Sequence, residues 1–251
     1  LVPAGDGVSV LRALRILRFF RFNAWYGAGM DAEGLAACER QKDGLAKIAS
    51  ERIWKELKRL MEAPDPSEAM LAMEETGVLE AVLPGASASE LPSLVSVEQG
   101  ASLTPDPLQR LMAMMPRRAR DVAAVTSHLR LSNAEAQRLT GWADPALTHV
   151  LGAQPDALRR LFYRFGTRTV LDRALIEAAQ ISAAEAYQAL HAAASDWQKP
   201  DFPLGGADAL AAGLSGPAVG ETLRALEEDW IASDFSLSRS VLLARLSSQT
   251  G

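Results

Sequence analysis

The stretch Leu11–Gly27, LRALRILRFFRFNAWYG, decides the fold of the N-terminal part of this chain. Arg12, Arg15, Arg18 and Arg21 recur at every third position between aliphatic and aromatic residues. On an α-helix each such step falls about 60° short of a full turn, so the four guanidinium groups wind slowly around the helix. The apolar remainder must be buried against protein. The pattern therefore predicts a helix that is half core and half arginine, whose charges need carboxylates, phosphates or polar base edges as partners.

The same helix allows two other interpretations. Arginine stems often lie over apolar surface, so a stripe of them is also typical of a solvated face. Basic amphipathic helices also bind anionic lipid, although here the arginines do not gather on one face opposite the aromatic residues. We expect a helix that faces a ligand, because FRFNAWY leaves little of its surface for water.

The composition predicts a soluble all-α protein. Of 251 residues, 48% are hydrophobic, 23% are charged and 6% are aromatic, and Ala and Leu far outnumber the residues that favour strands. The single Cys38 excludes an intramolecular disulfide and suits a reducing compartment. The histidines lack the spacing of a zinc site, and neither a membrane span nor a signal peptide is evident. We therefore expect a cytoplasmic protein without a metal site; the histidines are His128, His149 and His191.

Charge is distributed unevenly along the chain. The formal net charge is −5, which is not typical of a nucleic-acid-binding protein. Residues 1–60, however, contain eleven Lys and Arg against seven Asp and Glu, a net +4 that leaves −9 for the other 191 residues. Any polyanion is thus expected to bind locally, at the N-terminal part.

Helical periodicity continues almost to the C-terminus. Asp31 is predicted to cap a helix over 32–40, and Ser50 to cap the next, which buries Ile53, Leu57 and Leu60. Residues 85–106 have weaker helical periodicity and are the best candidate for a domain boundary.

Two later segments are candidate phosphate sites. The run LRRLFYRFGTRTVLDRA contains Arg164 and Arg168, which predict either an RNA-binding surface or a solvated helix face. Gly216 and Gly220 flank the start of a predicted helix at Pro217, where free N–H groups suit a phosphate or close helix packing equally well.

Three segments in this order resemble the class II CCA-adding tRNA nucleotidyltransferase and poly(A) polymerase family, most of all its alphaproteobacterial members. They are LRILRFFRFNAWYG, LAKIASERIWKELKRLMEAPDP and FPLGGADALAAGLSGPAVGETLRALEEDWIASDF. The resemblance implies an elongated or curved helical assembly of neck, body and tail. Its expected divisions are an unmatched segment 1–10, a neck over 11–84, a connection over 85–106, a body over 107–196 and a tail over 197–251.

The resemblance also implies roles for particular residues. Arg15, Arg18 and Arg21 match arginines that bind the incoming nucleotide. The family's acidic pair falls on Leu11 and Arg12, neither of which accepts a hydrogen bond through its side chain, so half of the base template is missing. A supporting role for the neck is implied for Ser50, Glu51, Arg52 and Glu56, and RNA contacts for Arg164, Arg168, Gly216 and Gly220.

Catalysis in the family takes place in a head domain whose Asp-x-Asp carboxylates hold Mg²⁺ for the reaction of CTP or ATP with tRNA. Only LVPAGDGVSV precedes the neck here, so we expect no catalytic or metal-binding residue, no cofactor and no nucleotide addition by this chain alone. The expected function is binding of the tRNA acceptor stem and T-arm. Two alternatives stay open: a split enzyme whose head is a separate chain, and a helical interaction protein without RNA affinity.

Overall fold

The computed structural model describes residues 6–27 and 29–248. These residues contain fifteen α-helices, one 3₁₀ helix and no strand, which confirms the all-α prediction. None of these helices is both long enough and apolar enough to span a membrane. The elements are α1 (Asp6–Tyr26), α2 (Ala32–Gln41), the 3₁₀ helix (Lys42–Lys47), α3 (Ser50–Met61), α4 (Ser67–Glu75), α5 (Val78–Val82), α6 (Leu91–Gly100), α7 (Pro107–Met114), α8 (Ala119–Leu129), α9 (Asn133–Trp142), α10 (Pro155–Phe165), α11 (Thr167–Ile181), α12 (Ala184–Asp196), α13 (Gly206–Ala211), α14 (Pro217–Ala232) and α15 (Arg239–Ser248).

Helix α1 buries its apolar positions against the helices that follow it in sequence. It packs on α3, α4 and the 3₁₀ helix, and Leu14, Leu17 and Phe20 are buried in that contact. Asp31 caps α2 as predicted, with its carboxylate accepting a hydrogen bond from the Gly34 N–H at 2.8 Å. The described side chains of α1 begin at Ala13, so those of Leu11 and Arg12 lie outside the described residues, as do residues 1–5 of the unmatched segment.

The start of α3 differs from the prediction. Its N-cap is Ala49, Ser50 is already helical, and no side chain caps the first turn. The predicted buried face is confirmed, since Ile53, Leu57 and Leu60 are each at most 5% exposed.

The chain forms two compact units, and their limits differ from the predicted divisions. One unit comprises residues 1–152 and 168–192, and the other comprises 153–167 and 193–251. The expected connection over 85–106 contains α6 inside the first unit, with Leu91, Leu94 and Val95 buried. Pro92 fits the first turn of this helix, where its missing N–H costs nothing, so a segment with weaker helical periodicity still contains a core helix.

The second unit is organised around aromatic side chains. Leu226, Trp230 and Ile231 of α14 are buried together with side chains from α15 and from the segment before α13. Tyr163 and Phe235 pack on Trp230 with ring centroids 5.7 and 5.0 Å away.

Candidate nucleic-acid interface

Three arginines of α1 lie next to its buried face, in different surroundings. Arg15 is exposed, Arg18 is half exposed and Arg21 is 20% exposed. Their exposure differs because arginines three residues apart wind around the helix, so the three guanidinium groups run from one edge of the apolar face towards α3. The spacing alone could not show which of them meets another helix.

One carboxylate of α3 holds two of these arginines. The Glu56 side chain is only 8% exposed, and its Oε1 accepts a hydrogen bond from Arg18 Nε at 3.3 Å. Its Oε2 lies 3.0 Å from Arg21 Nε. This second contact is ionic, because its geometry is not that of a hydrogen bond. Glu56 therefore fixes the direction of both guanidinium groups, which leaves their Nη atoms as donors for a further ligand.

Arg15 borders an open cavity of about 460 Å³ between α1 and α2. Ile16, Phe19 and Cys38 supply its apolar wall, and Gln41 supplies a polar group. Burial, together with the nearby Asp31 carboxylate, raises the pKa of the Cys38 thiol. Within the described part of the chain, no carboxylate forms an ion pair with Arg15, so its charge stays available.

The other residues predicted to support α1 lie elsewhere. Ser50 begins α3, and Arg52 is exposed on it. Glu51 contacts Arg130 at the end of α8, with Arg130 Nη1 2.8 Å from Oε1. Of the predicted supporting group, Glu56 contacts the arginines of α1, whereas Glu51 joins α3 to α8.

The exposed face of α3 carries Lys55 and Arg59, which the sequence did not single out, beside Arg52, whose predicted role was to support the neck. Arg52, Lys55 and Arg59 are all exposed, at positions that share one face of the helix. Among residues 6–27 and 29–248 no Asp or Glu is ion-paired with any of the three. We call these three residues and Arg15 the free-cation surface, because they are the exposed cations of α1 and α3 that have no ion-pair partner among the described residues: Arg15, Arg52, Lys55 and Arg59. The spacing of these cations on one helix face is visible in the run SERIWKELKR. Their lack of carboxylate partners depends on the tertiary structure and is not visible there.

The second arginine cluster is neutralised within the fold. Arg164 forms an ion pair with Glu228, and Arg168 Nη2 lies 2.9 Å from Asp106 Oδ2. The cluster is also divided between the two compact units. Its other members are paired too: Arg159 with Asp234, Arg160 with Asp156 and Arg173 with Glu177. The RNA contacts of Arg164 and Arg168 stay predictions. Because both side chains are paired with carboxylates, the cluster offers less unpaired positive charge than the number of its arginines suggested.

The glycine pair lies at the start of α14. Gly216 precedes Pro217 with φ of +59°, a backbone conformation that favours glycine. A Cβ atom at Gly220 would lie 3.5 Å from Arg224 Nη2, whereas one at Gly216 would meet nothing within 4 Å. The exposed first turn is thus open to a ligand, although no described contact assigns one.

The family resemblance implies Mg²⁺, which binds to carboxylate and other oxygen ligands. No group of three His, Cys, Asp or Glu side chains within 6–27 and 29–248 could hold a metal ion. These residues do not fit a magnesium site, and we assign them no metal-dependent step.

The fold and its basic surface define a helical protein with a candidate polyanion-binding face. Residues 29–89, which include α2–α5, match the family described as "Probable RNA and SrmB- binding site of polymerase A". A Multifunctional CCA protein of Xanthomonas campestris is 34% identical over 144 residues, covering 57% of this chain and 31% of that protein. The mitochondrial CCA tRNA nucleotidyltransferase 1 of Mus musculus is 28% identical over 244 residues, covering 92% of this chain and 54% of that protein.

A solved structure shares the helical fold over almost the whole chain. The Thermotoga maritima CCA-adding enzyme complexed with tRNA superposes with a TM-score of 0.58 at 14% identity, covering 95% of this chain and 61% of that one. The chain resembles the CCA-adding tRNA nucleotidyltransferase and poly(A) polymerase family, and these matches support that resemblance. It spans about half the length of the mouse relative and a third of the Xanthomonas protein.

Proposed function

We propose that this chain is a helical tRNA-binding region of the CCA-adding type, and that the free-cation surface makes its main phosphate contacts. The observation that carries the proposal is the difference between two groups of cations. Those at 159–173 are paired with carboxylates, whereas Arg15, Arg52, Lys55 and Arg59 have no such partner among the described residues. A phosphate gains most from a cation that is not already neutralised.

Two findings support RNA binding by this chain, and the first of them includes α3. The match to an RNA-binding family covers α3, which carries three of the four free cations. The solved structure that shares the fold is that of an enzyme bound to tRNA. Phosphate contacts of this kind recognise the shape and backbone spacing of an RNA helix rather than its sequence.

Within the proposal, the arginines of α1 have a second role in binding a nucleotide, either free or as part of the bound RNA, and Arg15 takes part in both roles. Glu56 holds Arg18 and Arg21 by their Nε atoms, so the Nη groups can donate to a phosphate or to a base edge. Arg15 borders the cavity between α1 and α2 and supplies a third donor group. These three residues would bind and orient a nucleotide.

The salt dependence of tRNA binding tests the main proposal. Four phosphate contacts predict that log Kobs falls with log salt at a slope of about −3.6, which is an affinity loss of about 150-fold between 50 and 200 mM salt. The triple variant Arg52→Ala, Lys55→Ala, Arg59→Ala removes three contacts and should reduce the slope to about −0.9. Fluorescence anisotropy with a labelled tRNA measures both values.

Two controls distinguish the interface from general charge. Arg120→Ala removes an exposed arginine that lies beside Asp121 on α8, and Arg164→Ala removes an ion-paired arginine of the second cluster. Both should leave the slope within about 0.3 of the parent value. Binding that does not change with salt, or a larger effect of Arg164→Ala than of the triple variant, would contradict the proposal.

A further inference from the structure

The end of α1 exposes an aromatic cluster that the proposed phosphate contacts do not use. Phe22, Trp25 and Tyr26 are 52%, 43% and 76% exposed. The other large hydrophobic side chains exposed in the described part of the chain are aliphatic and lie on three separate helices, as Ile181, Leu210 and Val241. Three exposed aromatic side chains within five residues are therefore a distinct surface feature, which we call the aromatic platform: Phe22, Trp25 and Tyr26.

The platform is ordered by contacts within the protein. The Phe22 and Tyr26 rings are stacked, with centroids 5.9 Å apart and an interplanar angle of 26°. Trp25 Nε1 donates a hydrogen bond to the Arg59 carbonyl oxygen at 2.6 Å, which ties the end of α1 to α3. Stacking on such preordered rings costs a ligand little side-chain entropy.

The charges around the platform indicate what it binds. Arg21 Cζ lies 4.8 Å from the centroid of the Phe22 ring, and Trp25 is bonded to the backbone of Arg59, a residue whose exposed side chain belongs to the free-cation surface. Exposed aromatic rings beside arginine are the arrangement by which proteins hold unpaired nucleotides, with bases on the rings and phosphates on the cations. The platform lies at the C-terminal end of α1, where the helix dipole disfavours phosphate, so the rings suit the base.

We infer that the aromatic platform stacks unpaired bases of an RNA whose phosphates contact the free-cation surface. The inference rests on the proposed function, since it adds a base-binding site to the same RNA. Stacking does not depend on base identity, because every base presents a π-face, so the platform would accept any single-stranded segment that reaches it.

The test uses three hairpin RNAs: one with a four-nucleotide single-stranded 3′ tail, one with the same tail made abasic, and one with a blunt end. The first two carry equal charge, so a difference between them reports contacts to bases. The parent protein should bind the base-bearing tail about fivefold or more tightly than the abasic tail. The double variant Phe22→Leu, Tyr26→Leu removes two of the three platform rings, so it should lose most of that preference and keep the salt slope, because leucine retains apolar surface but cannot stack.

Matched variants and probes separate the two proposals. Ile181→Ala, at an exposed aliphatic position on α11, should keep the preference for the base-bearing tail. If the protein binds all three hairpins equally, or the double variant keeps the preference, the platform is refuted while RNA binding stands. If none of the hairpins binds at low salt, the proposed function fails as well. A parent dimer that the double variant converts to a monomer, with tail binding unchanged, would instead assign the platform to a second copy of the chain.

Discussion

Glu56→Gln separates two roles of the carboxylate that holds Arg18 and Arg21. If Glu56 only neutralises the arginines, its removal adds one positive charge to the surface and strengthens RNA binding. If it orients them, its removal releases two long side chains that RNA must then order at a cost. The structure favours orientation, because the Glu56 carboxylate is almost buried and contacts both Nε atoms at 3.0–3.3 Å.

The expected magnitude follows from these contacts. Ordering each released side chain costs about 0.5–1.5 kcal/mol, which is about 1–3 kcal/mol for the two arginines. The additional positive charge returns at most about 1 kcal/mol at physiological salt. We expect Glu56→Gln to weaken tRNA binding by about 1 kcal/mol, or about fivefold. Its free energy of unfolding should fall by about 1–2 kcal/mol, less than for a fully buried pair, because Arg18 is half exposed.

Glu51→Gln is the matched control, since it makes the same charge change on the same helix. Glu51 contacts Arg130 and neither of the two arginines held by Glu56, so this variant should bind tRNA as tightly as the parent or more tightly. Fluorescence anisotropy at equal salt compares the two variants, and circular dichroism confirms that each is folded. Binding by Glu56→Gln that equals or exceeds that of Glu51→Gln would refute the orienting role.

Two further predictions concern polar groups that join the helices of the first unit. Arg110→Met should lower the free energy of unfolding by about 3–5 kcal/mol in a urea titration, because it leaves the buried Glu98 carboxylate without its partner at 2.6 Å; a midpoint within error of the parent would contradict this. Burial favours a higher pKa for Glu135, but hydrogen bonds from Ser132, Lys58 and Trp54 outweigh it and lower the pKa to about 2. Because the folded pKa is depressed, the stabilisation is present above about pH 4.5 and is lost as the pH falls towards 2. Glu135→Gln should therefore be about 1–2 kcal/mol less stable than the parent at pH 7, with the difference shrinking at pH 3, and an equal difference at both pH values would exclude this role.

Local sequence was sufficient for most of the helices. The helical periodicity that continues almost to the C-terminus correctly predicted the all-α fold, and the helix predicted over 32–40 is α2 (Ala32–Gln41). Asp31 was a correct cap because a cap depends on the adjacent backbone alone. The prediction was weakest at Ser50, where Ala49 takes the cap position, and at α6, which lies in a segment whose weaker helical periodicity indicated a domain boundary although its leucines are buried.

The sequence by itself determined that the chain is helical, that its N-terminal part is basic, and which family it resembles. These properties follow from composition, from periodicity and from short motifs, all of which are local. Only the tertiary structure decided which cations are free, because Arg18 meets Glu56 across 38 residues and Arg164 meets Glu228 across 64. An ion pair depends on which helix faces meet, and helix propensity carries no information about those long-range contacts. The location of the candidate RNA-binding surface on α1 and α3 is therefore a result of the fold.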